Sequence, residues 1–177
     1  MNYPILPMPP ELWPAVREIY AQGIATANAT FETELPDWEK WDAGHRQDCR
    51  LVALEPFEQN TELVVPLEKL TVVGWAALSP VSGRRVYAGV AEVSVYVAAA
   101  ARGRGVGKVL LQALVQESEA KGIWTLQAGI FPENAASTSL HRSCGFREVG
   151  VRRHIGQLRG VWRDVLLLER RSSTVGD

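Results

Sequence analysis

A strand, a glycine-rich loop and a helix follow one another without a break in residues 86–121, and this succession limits the possible folds more than any other feature. The run VYAGVAEVSVYV alternates between two kinds of side chain, which predicts a strand ending at Val97. From Val106 the apolar residues recur at helical spacing, and Gly122 ends the predicted helix after Lys121. The loop must therefore carry the chain from a sheet directly onto a helix start.

The loop, ARGRGVGK, has the composition of an anion site. Glycines let the backbone curl so that successive N–H groups converge, and the helix start adds unpaired N–H groups and the positive end of its dipole. Arginine and lysine side chains supply mobile cations. The predicted pyrophosphate-binding residues are Arg102, Gly103, Arg104, Gly105, Val106, Gly107 and Lys108.

Three known loop patterns can be compared with this segment. A Walker loop needs Ser or Thr after its lysine, but Lys108 is followed by Val109. A dinucleotide fingerprint needs G-x-G-x-x-G, whereas the glycines here are spaced G-x-G-x-G. The third pattern, R/Q-x-x-G-x-G/A, fits residues 102–107. A glycine turn that only starts a helix is the remaining alternative.

Composition and charge narrow the functional classes. The 177 residues fit one domain, and a net charge of −1 gives no overall attraction to nucleic acid or to an anionic membrane. The apolar runs are shorter than a membrane helix, which needs about 20 residues, and the start lacks a signal-peptide pattern. Cys49 and Cys144 show no metal-ligand spacing, so we expect reduced thiols in a cytoplasmic protein without a metal. We expect a single domain over residues 1–177, with a frayed tail from about residue 171.

The remaining segments predict a mixed α/β domain in which helices cover a largely antiparallel sheet. A glycine at position 74 predicts a bulge in its strand. The predicted elements are a strand at 3–6, helices at about 10–24 and 36–48, strands at 50–54 and 70–78 separated by an irregular excursion at 55–69, a strand at 123–130, a helix at 133–144, and a hairpin of 146–160 with 161–170 that turns at Arg159-Gly160.

Five segments occur in an order typical of one enzyme family: NATFETE, EVSVYV, ARGRGVGKVLLQAL, FPENAASTSLHRSCGF and GQLRGVWRDVLLLER. The chain resembles the GNAT superfamily of N-acetyltransferases, in its phosphinothricin acetyltransferase-like branch, over roughly residues 3–170. The resemblance implies an α+β fold with a mostly antiparallel sheet of about six to seven strands, about four helices, and a splayed strand pair that holds coenzyme A. It also implies acetyl-CoA as the cosubstrate and a homodimer.

The same resemblance implies a place for each part of acetyl-CoA. The pantetheine arm would bond the backbone of Val95, Tyr96 and Val97, and the loop amides would bind the pyrophosphate. Asn134, at the start of the next helix, would bond the pantetheine or acetyl end, with help from Ser137 or Ser139. An N-cap is the structural alternative for the asparagine.

Acyl transfer to an amine needs a base, and the resemblance implies Glu92, acting through water. A glutamate on so apolar a strand is expected to be partly desolvated, which favours basicity near neutral pH, while pairing with an arginine is the alternative. An N–H near Tyr96 or Val97 would stabilise the oxyanion. Many relatives protonate the thiolate with a tyrosine in LYxxxGF. Here His141 stands at that place in LHRSCGF, so the imidazole or water would donate. Cys144 lacks a base partner, so we expect direct transfer in a ternary complex.

On the acceptor side, the resemblance implies that Phe31 walls the pocket and Glu32 holds the incoming ammonium. Arg84, Arg85 and Tyr87 stand where the branch binds the anionic group of analogues such as phosphinothricin and methionine sulfoximine, although LSPVSGRRVYAG departs from the branch pattern. The predicted function is N-acetylation of a small amino acid or analogue. A non-catalytic acyl-CoA-binding regulatory module and a protein N-terminal acetyltransferase are the alternatives.

Overall fold

The computed structural model describes residues 3–56 and 66–176, and within them the chain forms one seven-stranded sheet with four α-helices. The predicted α+β architecture is confirmed. The elements are β1 (Ile5–Pro7), α1 (Trp13–Ala25), α2 (Trp38–Gly44), β2 (Leu51–Leu54), β3 (Val72–Pro80), β4 (Val90–Val97), α3 (Val106–Ala120), β5 (Thr125–Ile130), α4 (Ala135–Ser143), β6 (Arg147–Leu158) and β7 (Val161–Arg171). Most of the predicted excursion at 55–69 lies outside the described residues.

Helix α2 and strand β4 fall furthest short of their predicted lengths. Helix α2 was expected over 36–48, but it begins after Asp37, whose side chain accepts a hydrogen bond from the Lys40 amide at 2.8 Å, and it ends at Gly44. Strand β4 was expected from residue 86, but a 3-10 turn at Arg85–Tyr87 delays its start to Val90. No helix in the described ranges is long and apolar enough to cross a membrane.

The order of the strands in the sheet is β1-β2-β3-β4-β5-β7-β6. All neighbours are antiparallel except β4 and β5, which run parallel. These two strands pair only from Val90 to Glu92, with Gln127 opposite Glu92 in the last pair, and beyond it they separate. The predicted splayed strand pair is therefore present.

Two buried clusters lie on opposite faces of the sheet. Side chains alternate along a strand, so on β3 Trp75 joins the cluster under α1 and α2, whereas Ala76 joins the cluster under α3. The first cluster is rich in aromatic rings, including Trp13 and Trp41. Each face of the sheet is thus covered by helices.

Gly74 permits the close packing of α3 on the sheet. The register of β2 and β3 shifts beside it, which confirms the predicted bulge. A Cβ atom at this position would lie 2.8 Å from Leu110 Cδ1 and 2.9 Å from the Tyr96 carbonyl oxygen. Any larger residue would therefore push α3 away from the strands that form the opening.

The C-terminal hairpin turns where the sequence predicts. Arg159 and Gly160 both have positive φ, at 51° and 82°, as a tight hairpin turn requires. In the described part of the tail, the Ser172 amide donates to the Trp124 carbonyl at 2.8 Å and the Arg171 guanidinium donates to the Val175 carbonyl at 2.7 Å.

Candidate active site

The opening between β4 and β5 exposes unpaired backbone groups of β4. The Ala98 amide donates to Val73 of β3, and the Tyr96 carbonyl also faces β3. Because successive backbone groups alternate in direction along a strand, the N–H groups of Val95 and Val97 face the opening. The Arg102 guanidinium donates to the Val97 carbonyl at 3.3 Å, which is consistent with this direction.

A cavity of about 290 Å³ follows this opening, and we call it the fork cavity. It is lined by Val95, Tyr96, Val97, Arg102 and Asn134, among others. Five of the predicted cofactor-binding residues therefore line one continuous space. A narrow, strand-walled space of this kind suits an extended chain that hydrogen-bonds to backbone groups.

The glycine loop has the geometry of an anion cradle. Gly103 and Gly105 have φ values of 75° and 86°, and open space surrounds the position of a Cβ on each. Neither amide donates a backbone hydrogen bond within the described part of the chain. Gly107 follows in the first turn of α3, where helix N–H groups have no intrahelical partner. The loop fits a pyrophosphate.

The three cations of the loop differ in their contacts. The Arg102 side chain reaches the wall of the fork cavity. The Arg104 guanidinium instead forms an ion pair with Glu55 at 2.5 Å and lies over the ring of Tyr3 at 5.8 Å. Lys108 is exposed on the first turn of α3. Arg102 is therefore the loop cation that the structure brings to the cavity.

Asn134 caps α4 and also ties two segments together. Its Oδ1 accepts from the Ser137 amide at 3.1 Å, and its Nδ2 donates to the Asn28 carbonyl at 3.0 Å. Asn134 is thus the N-cap of α4, as the structural alternative predicted, and the same residue lines the fork cavity. One N–H of the amide stays available for a further acceptor.

A second cavity of about 320 Å³ adjoins the fork cavity, because Ala29, Val95 and Tyr96 line both. We call it the carboxylate cavity. Its wall brings together the side chains of Phe31, Glu32, His45, Glu92, Ser137 and His141. Residues predicted from distant parts of the chain as base, acid and acceptor-binding groups therefore meet in one place.

Glu92 lies where β4 and β5 separate. Its Oε2 accepts a hydrogen bond from Gln127 Nε2 at 2.8 Å, so its partner is a glutamine and not the arginine considered from sequence. The side chain is exposed, and the expected desolvation is absent, because the residue faces an open cavity at the end of the strand pairing. Gln127 was missed by sequence reasoning, since its place depends on the register of a distant strand.

His141 is 4 % exposed and neutral in this geometry. Its Nδ1 lies 2.8 Å from the Ser137 carbonyl oxygen, which can only accept, so Nδ1 carries the proton. Burial lowers the pKa of His141, and the bond to Ser137 opposes this effect in part. The other nitrogen, Nε2, is buried without a partner among the described residues and can accept a hydrogen bond.

His45 is half-buried, also lines the carboxylate cavity, and has a similar hydrogen bond at Nδ1. Its Nδ1 lies 2.7 Å from the Trp41 carbonyl oxygen, four residues earlier, and burial lowers its pKa. Sequence reasoning missed this residue, because only the fold brings α2 beside β3 and β4. The signal available in the sequence was the position of His45 four residues after Trp41. At this spacing a histidine Nδ1 can donate to the earlier carbonyl, as His141 does to Ser137.

Phe31 is fixed by a second ring and by a strand of the C-terminal hairpin. Its ring meets Phe131 edge to face at 4.8 Å between centroids. On its other side lies Gly156 of β6, where an added Cβ would come within 3.0 Å of the ring. The ring therefore forms a fixed wall of the carboxylate cavity, and Glu32 follows it directly.

The structure does not bring three predicted acceptor-binding residues into this group. Arg84, Arg85 and Tyr87 lie on the turn before β4, and the Arg84 guanidinium stacks over the Tyr87 ring at 5.5 Å. They are not among the residues that line the fork cavity or the carboxylate cavity. The described residues also contain no cluster of three His, Cys, Asp or Glu side chains that could hold a metal ion.

Comparison with known proteins defines the class of enzyme to which this fold and site correspond. Residues 20–146 match the Acetyltransferase (GNAT) family, and the chain belongs to that family. It is 32% identical over 156 residues to the phosphinothricin N-acetyltransferase of Streptomyces coelicolor, with 86% of each chain covered. It is 38% identical over 98 residues to the L-methionine sulfoximine/L-methionine sulfone acetyltransferase of Pseudomonas aeruginosa, covering 55% of this chain and 57% of the relative.

A solved structure extends the similarity to nearly the whole fold. The GNAT superfamily phosphinothricin acetyltransferase of Sinorhizobium meliloti, in complex with AcCoA, superposes with a TM-score of 0.80 at 27% identity. The match covers 97% of this chain and 89% of that chain. The protein is an acetyltransferase, and the predicted family is confirmed.

Proposed function

We propose that this protein transfers the acetyl group of acetyl-CoA directly to the amino group of a small amino acid or amino-acid analogue in a ternary complex. The observation that carries the proposal is the junction of the two cavities at Val95 and Tyr96. A thioester in the fork cavity would end at this junction, and an amine in the carboxylate cavity would approach it beside Glu92. The geometry thus suits a direct attack of nitrogen on the thioester carbon.

The donor is acetyl-CoA, and the residues of the fork cavity fit its parts. The amides of Val95 and Val97 are free to bond the pantetheine arm as a neighbouring strand would. The amides of the curled loop, together with Arg102, bind the pyrophosphate at the start of α3. The remaining N–H of Asn134 bonds the pantetheine end.

Glu92 acts as the general base. It accepts the proton of the ammonium through water, and its exposure leaves room for that water. Because the neutral ring has no proton on Nε2, His141 is a poor candidate for the acid. As the C–S bond breaks, the second proton that the attacking nitrogen loses passes through water to the leaving thiolate.

The oxyanion donor is the Val97 amide. Of the two candidates from sequence, Tyr96 directs its backbone toward β3, whereas Val97 directs its N–H into the opening. A fixed backbone donor at this point stabilises the charge that develops on the carbonyl oxygen.

The acceptor lies against Phe31, with its ammonium group near Glu32. Relatives named for phosphinothricin and for methionine sulfoximine support an acceptor of this size. Arg84, Arg85 and Tyr87 are proposed to bind an anionic group of the acceptor from the turn before β4, which requires Arg84 to leave its stacked position on Tyr87.

One experiment tests the proposed function against a non-catalytic acyl-CoA-binding module. Thiol release is measured with acetyl-CoA and a panel of amino acids, sulfoximine and phosphinyl analogues, polyamines and short peptides. We expect turnover with small amino-acid analogues. Glu92→Gln should lower kcat by about 100-fold or more while calorimetry shows unchanged coenzyme binding. Binding without turnover on any amine would support the binding module, and turnover on peptides alone would support the N-terminal acetyltransferase.

We also propose a cytoplasmic homodimer formed through the β6–β7 hairpin. Strand β6 is an edge strand, and the hairpin exposes five large apolar side chains, namely Val149, Val151, Ile155, Val161 and Trp162. Cys49 and Cys144 are free thiols, which suits a reducing compartment. Light scattering should give twice the chain mass at micromolar concentration, and Trp162→Glu should give a monomer.

A further inference from the structure

His45 lines the carboxylate cavity, and two backbone connections hold it near the strand that carries Glu92. The amide of Arg46, the next residue, donates to the Leu78 carbonyl of β3 at 2.8 Å. Ser79 follows and pairs directly with Glu92 on β4, so the two side chains lie on the same face of the sheet. The end of α2 is therefore held beside the strand that carries the base.

The His45 ring is fixed in one orientation and one tautomer. It stacks on Trp41, with 4.2 Å between centroids and 22° between planes, and meets the Trp75 ring edge to face at 6.2 Å. Nδ1 donates to the Trp41 carbonyl, which leaves the lone pair of Nε2 without a partner among the described residues. Burial lowers the pKa of His45 and keeps the ring neutral at neutral pH. Nε2 is thus a permanent hydrogen-bond acceptor.

The described lining of the cavity that His45 shares offers hydroxyl groups and carboxylates but no cationic side chain. The charged residues that line the carboxylate cavity are Glu32 and Glu92, and the lining contains no lysine or arginine among the described residues. A substrate group that faces His45 must therefore offer a proton, because a group that only accepts would leave Nε2 facing another lone pair.

We propose that His45 is a specificity-determining residue, whose Nε2 accepts a hydrogen bond from an N–H or O–H on the side chain of the acceptor. The inference rests on the proposed function and adds to it the chemistry of the polar group on the acceptor's side chain. A sulfoximine has such an N–H, whereas a sulfone of the same shape has an oxygen there. This enzyme discriminates between the two.

The test compares kcat/KM for methionine sulfoximine and methionine sulfone in three proteins. The wild type should prefer the sulfoximine by about tenfold or more, since a site that bonds an N–H rejects the analogue that lacks it. His45→Phe keeps a ring on Trp41 but has no acceptor, so it should lose the preference through a lower rate on the sulfoximine alone. His45→Gln places an amide oxygen near the position of Nε2 and should restore most of the preference.

The possible results separate this inference from the proposed function. A preference that is the same in wild type and His45→Phe would overturn the role of His45 while leaving N-acetylation intact. An equal loss on both substrates would also overturn it, because that result indicates a general catalytic or structural role. If the wild type acetylates neither compound, the inference fails, whereas the proposed function stands as long as another small amino acid of the panel is acetylated. Calorimetry with coenzyme A shows that each variant is folded.

Discussion

At the scale of single residues, the site depends on side chains whose orientation is set by one hydrogen bond each. Gln127 holds the Glu92 carboxylate, and main-chain carbonyls hold the rings of His45 and His141. In both histidines the accepting carbonyl belongs to the residue four positions earlier, so the helix that presents the ring also fixes its tautomer. Local geometry therefore determines which groups can accept a proton.

Gln127→Met should lower kcat by about tenfold, because the carboxylate loses the amide that orients it toward the amine. Coenzyme affinity should stay unchanged. The measurement is a double-mutant cycle, in which Gln127→Met is also made in the Glu92→Gln protein. There the second change should have almost no effect on kcat. An undiminished tenfold loss in that background would mean that Gln127 acts independently of Glu92.

Sequence reasoning located Phe31, Glu32, Glu92 and His141, because each lies in a segment with a recognisable pattern, and the fold brings all four to one cavity. It did not locate Gln127 or His45. Gln127 is defined by the register of β4 against β5, and His45 by the packing of α2 beside β3. Such long-range relations leave no periodic signal in the chain. The prediction that Glu92 is partly desolvated was wrong for the same reason, because the point at which strand pairing ends leaves its side chain exposed.

At the scale of elements, the loop before α3 combines unusual backbone geometry with a binding surface. Gly105→Ala should cost about 1 to 2 kcal/mol of stability, because alanine is strained at the φ of 86°. It should also weaken coenzyme binding by about tenfold, since relaxing the strain turns the amides away from the pyrophosphate. Calorimetry with acetyl-CoA and urea unfolding measure the two effects.

Gly122→Ala is the matched control for this variant. Gly122 ends α3 with a φ of 74°, and it too has open space around the position of a Cβ. The control should show the same loss of stability with no change in coenzyme affinity. Equal affinity losses in both variants would indicate general destabilisation and not a binding role for the loop.

The contact between α3 and the sheet is expected to be sensitive to added side-chain volume. Gly74→Ala should lower the free energy of unfolding by about 1 to 3 kcal/mol, because the new methyl group overlaps Leu110 and the Tyr96 carbonyl. Gly83→Ala, at an exposed position with nothing within 4 Å of the added Cβ, should change it by less than about 0.5 kcal/mol. A similar effect of both changes in urea unfolding would contradict the close-packing explanation.

The element boundaries show where sequence patterns reach their limit. The period change at Val106 predicted the start of α3, and Arg159-Gly160 predicted the hairpin turn. By contrast, the polar run after Gly44 continued the helical pattern without forming helix, because the chain there turns extended and joins β3 through Arg46. Tertiary hydrogen bonds thus ended a helix that local propensity would have extended.

At the scale of the whole molecule, two neutral histidines, of which His141 is buried and His45 half-buried, make stability depend on pH. The pKa values of His45 and His141 are lowered in the folded state by burial, whereas both rings titrate near 6.5 when unfolded. The unfolded chain therefore binds more protons below that pH, and the free energy of unfolding falls as the pH drops below about 6.5. Above that value this contribution is fully present.

Urea unfolding across the range from about pH 5 to pH 8 measures this dependence. His141→Gln should reduce the slope of stability against pH, even if it lowers stability at every pH. His154→Gln, at an exposed histidine of β6, is the control and should leave the slope unchanged. An identical slope in the wild type and His141→Gln would show that the buried ring does not contribute.

The separation of β4 and β5 after Glu92 has a consequence for how acetyltransferases of this kind can change their specificity. The last residue pair between the two strands also contains Glu92, the proposed base, and its hydrogen-bond partner Gln127. Unzipping one more residue pair would deepen the donor cleft by about 3.3 Å and would at the same time release the carboxylate. A change in the depth of the donor cleft would therefore also displace the carboxylate proposed to accept the proton. Changes in acceptor specificity are then expected among residues of the carboxylate cavity that lie outside this strand pair.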